Sequence, residues 1–223
     1  MHIKFRLMKL LKYKLSGYLA LMMIVSFSIT QCTETTGLDD TLNPGDELSK
    51  SIIQGSALTE AEIEGIRFMR EEEKVARDVY IFLYEIYPLR PFLNISKSEQ
   101  AHMDAIKYLI DTFDIEDPVG ENPEGVFQNE ELQDLYNVLI EKGSTSREEA
   151  LRVGALIEEV DIIDLQTELN SIAQNEEVIR VYTNLYRASE THLRAFTGVL
   201  ALYGVEYVPV KLSQEEFDRI MDE

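Results

Sequence analysis

Residues 96–103 read SKSEQAHM, and they begin an apolar-periodic segment that carries two metal-ligand side chains. Glu99 and His102 are three residues apart, so a helix projects both from the same face. The stripe to which they belong recurs at spacings of four and three residues: Ile95, Glu99, His102, Ile106, Leu109 and Phe113. Such a stripe faces a protein core, where a charged group needs a partner. The stretch therefore predicts a helical protein with a polar centre.

Three further segments show the same pattern, in which one titratable side chain interrupts an apolar stripe. These side chains are, in chain order, Glu73, Glu158 and His192. Residues that can cap a helix precede the three segments: Thr59, Ser146 and Asn175. Each segment is long enough for a helix of many turns, and the first is predicted to run to Tyr87. The sequence thus predicts four long helices whose inner faces meet.

Neighbouring acids leave the set of inward-facing carboxylates open at two points. A modest rotation of the first helix would turn Glu72 inward, although the stripe favours Glu73. In the third long helix, Glu159 and Asp161 stand close to Glu158, so that helix can supply one carboxylate or two. We therefore expect Glu158 as the main ligand, with Asp161 or Glu159 as a spare ligand.

Two residues near the expected centre have other roles to consider. Ser96 and Glu99 form a capping box that would begin the second helix, and capping is the structural alternative for Glu99. Tyr80 lies two turns after Glu73 on the same face. Its phenol could donate a hydrogen bond to a buried carboxylate or contact a metal.

The predicted fold is all-α, a ferritin-like four-helix bundle. A long crossover with a short helix, from about Glu130 to Glu141, joins the second long helix to the third, and a short helix after Ser213 follows the bundle. Ferritin-like bundles hold two metal ions between facing helices through carboxylates and histidines. Oxygen and nitrogen ligands without sulfur suit iron or manganese, and ligand chemistry alone also allows zinc. Such a centre predicts iron oxidation or reactions with peroxide or dioxygen.

The N-terminus predicts export. Residues 1–32 contain five basic residues, no acidic residue and an apolar run at 19–27, as in a secretory signal. Cys32, the sole cysteine, follows this run where a lipoprotein signal places its lipid-modified cysteine, although Gln31 replaces the usual small residue. The polar residues 33–57 predict a flexible tether, and residues 58–223 the helical domain. We expect a protein held at a bacterial membrane only by its lipid, with ordinary secretion as the alternative.

The charge excludes one class of partner. The chain has 223 residues and a formal charge of −20, which becomes −25 without residues 1–32. Such an acidic protein is a poor partner for nucleic acid. The expected partners are metal ions and peroxide or oxygen, and the sequence is also compatible with a homodimer.

Four blocks of sequence carry a family resemblance: residues 71–80, 98–105, 154–162 and 192–196. Together they resemble a prokaryotic ferritin-like family catalogued as domain of unknown function 2202. The resemblance implies a fold and no established reaction. The chain is also distantly similar to rubrerythrin-type proteins, because Glu73 with Tyr80 matches their first-helix pattern and Glu99 with His102 their second. That similarity implies a role for Tyr80 as a redox or supporting partner of the metals.

The fourth helix departs from the rubrerythrin-type pattern. Those proteins have a glutamate three residues before the histidine, whereas this chain has Ser189 there. Glu190 is only two residues before His192, a rotation of about 200°, so it should point away. Asp161 or Glu159 could supply the missing carboxylate. A single metal, an asymmetric pair or no metal are the other arrangements compatible with this change.

Two functions are compatible with the sequence. The first is a metal-dependent oxidoreductase or iron-handling protein, with Tyr80 beside these ligands: Glu73, Glu99, His102, Glu158, His192 and Asp161. The second is a non-enzymatic helical-bundle lipoprotein. In that protein the buried glutamates and histidines would form a hydrogen-bonded network that fixes helix packing, and the acidic surface would serve solubility or a cationic partner.

Overall fold

A computed structural model describes residues 57–222, and this part of the chain contains six α-helices and no strand. In chain order the helices are α1 (Glu60–Ile86), α2 (Arg90–Thr112), α3 (Glu130–Gly143), α4 (Arg147–Ser171), α5 (Glu176–Leu202) and α6 (Gln214–Met221). None of these helices within 57–222 could span a membrane. The predicted signal peptide with Cys32, and the predicted tether up to residue 56, lie outside the described residues. The all-α class is confirmed.

Most helix starts follow the predicted caps. The Thr59 hydroxyl accepts a hydrogen bond from the Glu62 amide at 3.2 Å, and the Glu62 carboxylate accepts one from the Thr59 amide at 2.9 Å. This reciprocal pair satisfies two amides that the first turn of α1 leaves without helical partners. The predicted caps of α4, α5 and α6 are also confirmed: Ser146, Asn175 and Ser213.

The predicted start of the second helix is wrong, because α2 begins at Arg90 rather than after Ser96. Pro91 occupies the first turn of α2, where an amide hydrogen has no helical acceptor and its absence costs nothing. The Ser96 hydroxyl instead donates to the Leu93 carbonyl oxygen at 3.2 Å, within the helix. Glu99 therefore lies in the helix interior and does not serve as a cap.

The four long helices pack in pairs. α1 lies along α2, α4 lies along α5, and further contacts join α1 to α4 and α2 to α5. An aromatic cluster of Tyr80, Phe92 and Phe196, all fully buried, fills the space between them. Phe196 packs against Gly154, where a Cβ would lie 2.5 Å from the ring. Close approach at Gly154 thus brings α4 and α5 together beside the aromatic cluster.

The segment between α2 and α3 is held by the outer face of α1. The buried Lys74 ammonium donates to the Pro123 carbonyl oxygen at 2.8 Å and to the Asp78 carboxylate at 2.5 Å. Asp78 also accepts from the Gly125 amide at 2.9 Å. Glu71 accepts from the Gln128 amide, so this member of the acidic run 71–73 serves the connection.

Candidate metal centre

Five of the predicted ligands meet where α1, α2, α4 and α5 face one another: Glu73, Glu99, His102, Glu158 and His192. Each of the five side chains is at most 7% exposed. Glu99 lies in the middle. Its Oε2 is 2.7 Å from Nδ1 of His102, and its Oε1 is 2.9 Å from Nδ1 of His192. One carboxylate therefore faces both histidines, each with a different oxygen.

The five residues form two groups of three that share Glu99. The His102 half-site consists of Glu73, Glu99 and His102, and Nδ1 of His102 lies 3.1 Å from Oε2 of Glu73. The His192 half-site consists of Glu99, Glu158 and His192, with 3.4 Å between Nδ1 of His192 and Oε2 of Glu158. The ligand atoms of each half-site lie within 4.8 Å of one another. The two imidazole rings stack with centroids 5.5 Å apart.

The polar atoms of the centre fit metal binding better than hydrogen bonding. Within residues 57–222, no hydrogen-bond partner is found for these buried atoms: Glu73 Oε1, both Glu99 oxygens, Glu158 Oε2 and His192 Nδ1. Buried polar groups are nearly always hydrogen-bonded, so such a concentration needs another explanation. Carboxylate oxygens and imidazole nitrogens that converge without hydrogen-bond alignment can ligate a common cation. Each half-site thus offers one nitrogen and two carboxylates to a metal ion.

Charge within the centre keeps both imidazoles protonated when no metal is bound. Burial lowers the pKa of His102, but the Glu73 and Glu99 carboxylates outweigh burial and raise it to about 11. Burial likewise opposes protonation of His192, and Glu158 with Glu99 raises its pKa to about 10. Burial raises the pKa of Glu99, but the two histidines outweigh it and lower the pKa to about 2. A cation must therefore displace protons from the imidazoles.

Glu73 and Glu158 respond differently from Glu99. Burial raises the pKa of Glu73 to about 7 despite the opposing charge of His102, and burial also raises the pKa of Glu158. The positive charges of the two histidines stabilise the ionised form of Glu99 most, because Glu99 contacts both rings. The outer two carboxylates therefore ionise less readily than the shared one until a cation is present.

Tyr80 lies directly beside the His192 half-site. Its hydroxyl donates to Oε1 of Glu158 at 2.6 Å and lies 3.4 Å from the Gly154 carbonyl oxygen. Burial and the charge of Glu158 raise the pKa of the Tyr80 phenol well above its usual value, so it remains a donor. Tyr80 thus fixes the carboxylate of Glu158 on α4, although it follows Glu73 on its own helix.

The alternative carboxylates of the sequence prediction occupy other places. Glu159 is fully buried but turns toward the C-terminal segment, where it accepts from the Tyr207 hydroxyl at 2.6 Å and the Leu212 amide at 2.8 Å. Glu159 is therefore not available to the centre. Glu190 points away from His192, as predicted, and pairs with Arg219 at 2.6 Å.

Asp161 is buried next to the centre, with 1% exposure. Burial raises its pKa well above the usual value, and the charges of Glu73, Glu72 and Glu158 add to this shift. Among residues 57–222, however, Asp161 belongs to neither half-site. Asp161 therefore lies beside the two half-sites, and its predicted role as a ligand stays a prediction.

Ser98 contacts the centre, although it does not belong to the apolar stripe from which the site residues of α2 are predicted. Its hydroxyl lies 3.0 Å from Nε2 of His192, on the side of the ring opposite the carboxylates. A partner on the outer nitrogen fixes the tautomer and the orientation of a metal-binding histidine. Ser98 precedes Glu99 by one residue, so helical periodicity places it off the inner stripe. Only the packing of α2 against α5 identifies its role.

Replacing Ser98 with alanine is expected to weaken metal binding at the His192 half-site by about 10- to 100-fold, because the ring loses its outer partner. Binding at the His102 half-site should change much less. Calorimetric titration with Mn²⁺ would resolve the two binding steps, and Ser98→Thr, which keeps the hydroxyl, is the matched control. Equal weakening of both steps, or no change in either, would contradict this role.

Comparison with protein families identifies the family of this chain. The model of a family described as "Uncharacterized protein domain (DUF2202)" matches residues 62–223. The chain belongs to this family. The matched residues contain both half-sites and Tyr80.

This DUF2202 protein has a relative of known structure. Uncharacterized protein MJ0754 of Methanocaldococcus jannaschii is 48% identical over 164 residues, which cover 74% of this chain and 88% of that protein. The crystal structure of hypothetical protein MJ0754 from Methanococcus jannaschii superposes with a TM-score of 0.73 at 47% identity, covering 74% of this chain and 94% of that one. Because that relative is itself described as uncharacterized, the function must be argued from the site.

Proposed function

We propose that this protein is a ferritin-like four-helix bundle that holds two iron or manganese ions and uses them in iron oxidation or in reactions with peroxide or oxygen. The observation that carries the proposal is the shared carboxylate of Glu99, which faces His102 with one oxygen and His192 with the other. The contributing helices are α1, α2, α4 and α5, and the α2–α4 connection carries α3. Carboxylates and histidines of four facing helices form the metal sites of ferritin-like bundles.

The residues around the centre suit redox-active cations. Iron or manganese, when bound, would supply redox chemistry and coordination positions open to an oxidant. The three carboxylates offset three of the four positive charges of two divalent cations, and they are buried away from water. Tyr80 holds Glu158 in one orientation and is the oxidisable side chain in contact with the centre. Sulfur ligands are missing from both half-sites, which favours iron or manganese over softer metals.

Oxidant consumption by the metal-loaded protein tests this function. The protein would be loaded anaerobically with Fe²⁺ or Mn²⁺ and mixed with dioxygen or hydrogen peroxide, with near-ultraviolet absorbance and residual oxidant as readouts. Zn²⁺-loaded protein is the redox-inert control. We expect consumption faster than that of the free metal with Fe²⁺ or Mn²⁺ only. If the metal-loaded protein consumes oxidant no faster than the free ion does, the proposed reaction is overturned.

A structural role for the polar centre is the second candidate, and the 2.9 Å contact between Glu99 of α2 and His192 of α5 favours it. Ion pairs of this kind hold helices together without a metal. The two functions differ in their response to chelation, because a ligand that binds only the native state raises its stability by mass action. A melting temperature that is equal with bound cation and with chelator would favour the structural role.

Metal loading at pH 7 is expected to release at least about two protons per chain, because both ligating imidazoles must be neutral and Glu73, whose pKa is raised to about 7, must ionise as well. His102 and His192, whose pKa values are raised to about 11 and about 10, are both protonated at this pH. Affinity for cations should therefore increase as the pH rises from 7 toward 10. In the metal-free protein the same pKa shifts stabilise the fold below about pH 6.5, and this stabilisation is lost through pH 10–11.

An indicator dye in weakly buffered solution would measure the released protons. A His102→Ala, His192→Ala variant is the control and should release none. Loading of the unaltered protein without proton release would contradict the charge states assigned to the centre.

We also propose that the protein is exported and anchored through a lipid on Cys32, as residues 1–32 indicate. The expected result is a membrane-bound protein whose N-terminal peptide carries acyl chains in mass spectrometry. Cys32→Ser should release the protein into the soluble fraction. Recovery of unmodified Cys32 from the exported protein would contradict the anchor.

A further inference from the structure

Buried carboxylates continue beyond the centre along one face of α4. They are, in order, Glu158, Asp161, Asp164 and Glu168, and each is at most 7% exposed. Spacings of three and four residues place all four on the same side of the helix. The ten residue steps from Glu158 to Glu168 correspond to about 15 Å of helix. This acidic column leads from the His192 half-site to the last turn of α4.

Helix α1 forms the opposite wall of the acidic column. A Cβ on Gly65 would lie 2.5 Å from Oε2 of Glu168, so the carboxylate occupies the space that the missing side chain leaves. One layer closer to the centre, Glu72 is 3% exposed, and its charge acts on Asp161. The column therefore lies in the interface between α1 and α4, with carboxylates from both helices at its middle.

Asp161 is the member of the acidic column whose surroundings indicate a bound cation. Its two oxygens have no hydrogen-bond partner among residues 57–222, and its side chain is 99% enclosed, with 1% exposure. An unpaired carboxylate in such a place costs folding free energy, and its acidic neighbours increase the cost. A divalent cation offsets this cost directly. Because Asp161 belongs to neither half-site in the described chain, that cation would sit beside the centre.

We propose that Asp161 is a transfer site for a divalent cation, and that Asp164 and Glu168 extend it into a path along which the cation reaches the two half-sites. The inference rests on the proposed function, because the path needs a metal centre as its destination. A cation entering the path gives up water for carboxylate oxygens. Passages lined by one sign of charge raise the local concentration of counter-ions and increase their rate of binding by about 10- to 1,000-fold.

Loading kinetics test this path. The protein and its Asp161→Asn and Glu168→Gln variants would be mixed rapidly with Co²⁺, with visible absorbance reporting the rate and metal analysis the final stoichiometry. Glu190→Gln is the matched control, because Glu190 is a buried acid of α5 outside the column. We expect two Co²⁺ per chain in every protein, loading slowed about ten-fold or more in the two column variants, and an unchanged rate in the control.

Loading at the unaltered rate in both column variants would overturn the path. A final stoichiometry of one in Asp161→Asn would also overturn it, because Asp161 would then be a ligand of the centre itself. If Asp161→Asn fails to fold, the rate measured for Glu168→Gln decides. Failure of the unaltered protein to bind Co²⁺, Fe²⁺ or Mn²⁺ would instead refute the proposed function, and the path with it.

Discussion

Replacing Glu99 with glutamine is expected to remove binding of both metal ions, not of one. The two oxygens of Glu99 face different histidines, so a single substitution alters both half-sites. Glutamine keeps the shape but offers one neutral oxygen and one amide donor. We expect affinity to fall by more than about 100-fold at each half-site, since residues that only support ligands already account for about 10- to 100-fold. Metal analysis after gel filtration would measure the loss.

The Glu190→Gln variant is the control for Glu99→Gln, because it removes a buried charge that faces Arg219 instead of the centre. It should retain two ions per chain. A Glu99→Gln variant that keeps one tightly bound ion would show that Glu99 serves only one half-site. In that case the centre would not be a pair of sites joined by a common carboxylate.

Replacing Glu159 with alanine is expected to destabilise the fold by more than about 3 kcal/mol, since each buried donor left unsatisfied costs about 1–3 kcal/mol. Glu159 accepts from the Tyr207 hydroxyl and from the amides of Val210, Lys211 and Leu212, which attaches the C-terminal segment to α4. Denaturant unfolding would measure the change. Metal stoichiometry should stay at two, because Glu159 lies outside both half-sites.

Glu148→Ala is the control for Glu159→Ala. Glu148 lies on α4 as well, but its carboxylate is exposed and pairs with Arg152 at the surface. We expect a change within about 0.5 kcal/mol for this variant. If Glu159→Ala is as stable as the unaltered protein, the C-terminal segment is held by other contacts. If it loses metal instead of stability, Glu159 contributes to the centre.

The five residues of the half-sites could be predicted because helical periodicity alone fixes which face a residue occupies. Glu73 interrupts an apolar stripe, whereas its neighbour Glu71 lies off that stripe and contacts the Gln128 amide. The same reasoning found Glu158 and His192 and placed Glu190 on the outside. It needed no knowledge of how the helices pair.

Predictions that depend on local competition or on distant partners were less successful. The capping signal of Ser96 competes with Pro91, which is equally suited to a first turn, and α2 begins at Arg90 with Pro91 in that turn. Ser98 and His192 are 94 residues apart, so no local pattern reveals their contact. Glu159 and Asp161 follow Glu158 by one and three residues, which places them about 100° and about 60° from it around the helix. Glu159 is nevertheless buried, because residues 207–212 dock on its carboxylate, and no local pattern predicts this tertiary contact.

Anaerobic titration with Fe²⁺ of the unaltered protein, of the single variants His102→Ala and His192→Ala, and of the double variant tests the central claim most directly. Equilibrium dialysis would give the number of tightly bound ions. Two half-sites that share Glu99 predict about two ions for the unaltered protein, about one for each single variant and none for the double variant. Absence of tight binding by both Fe²⁺ and Mn²⁺, or a stoichiometry indifferent to both histidines, would contradict the claim.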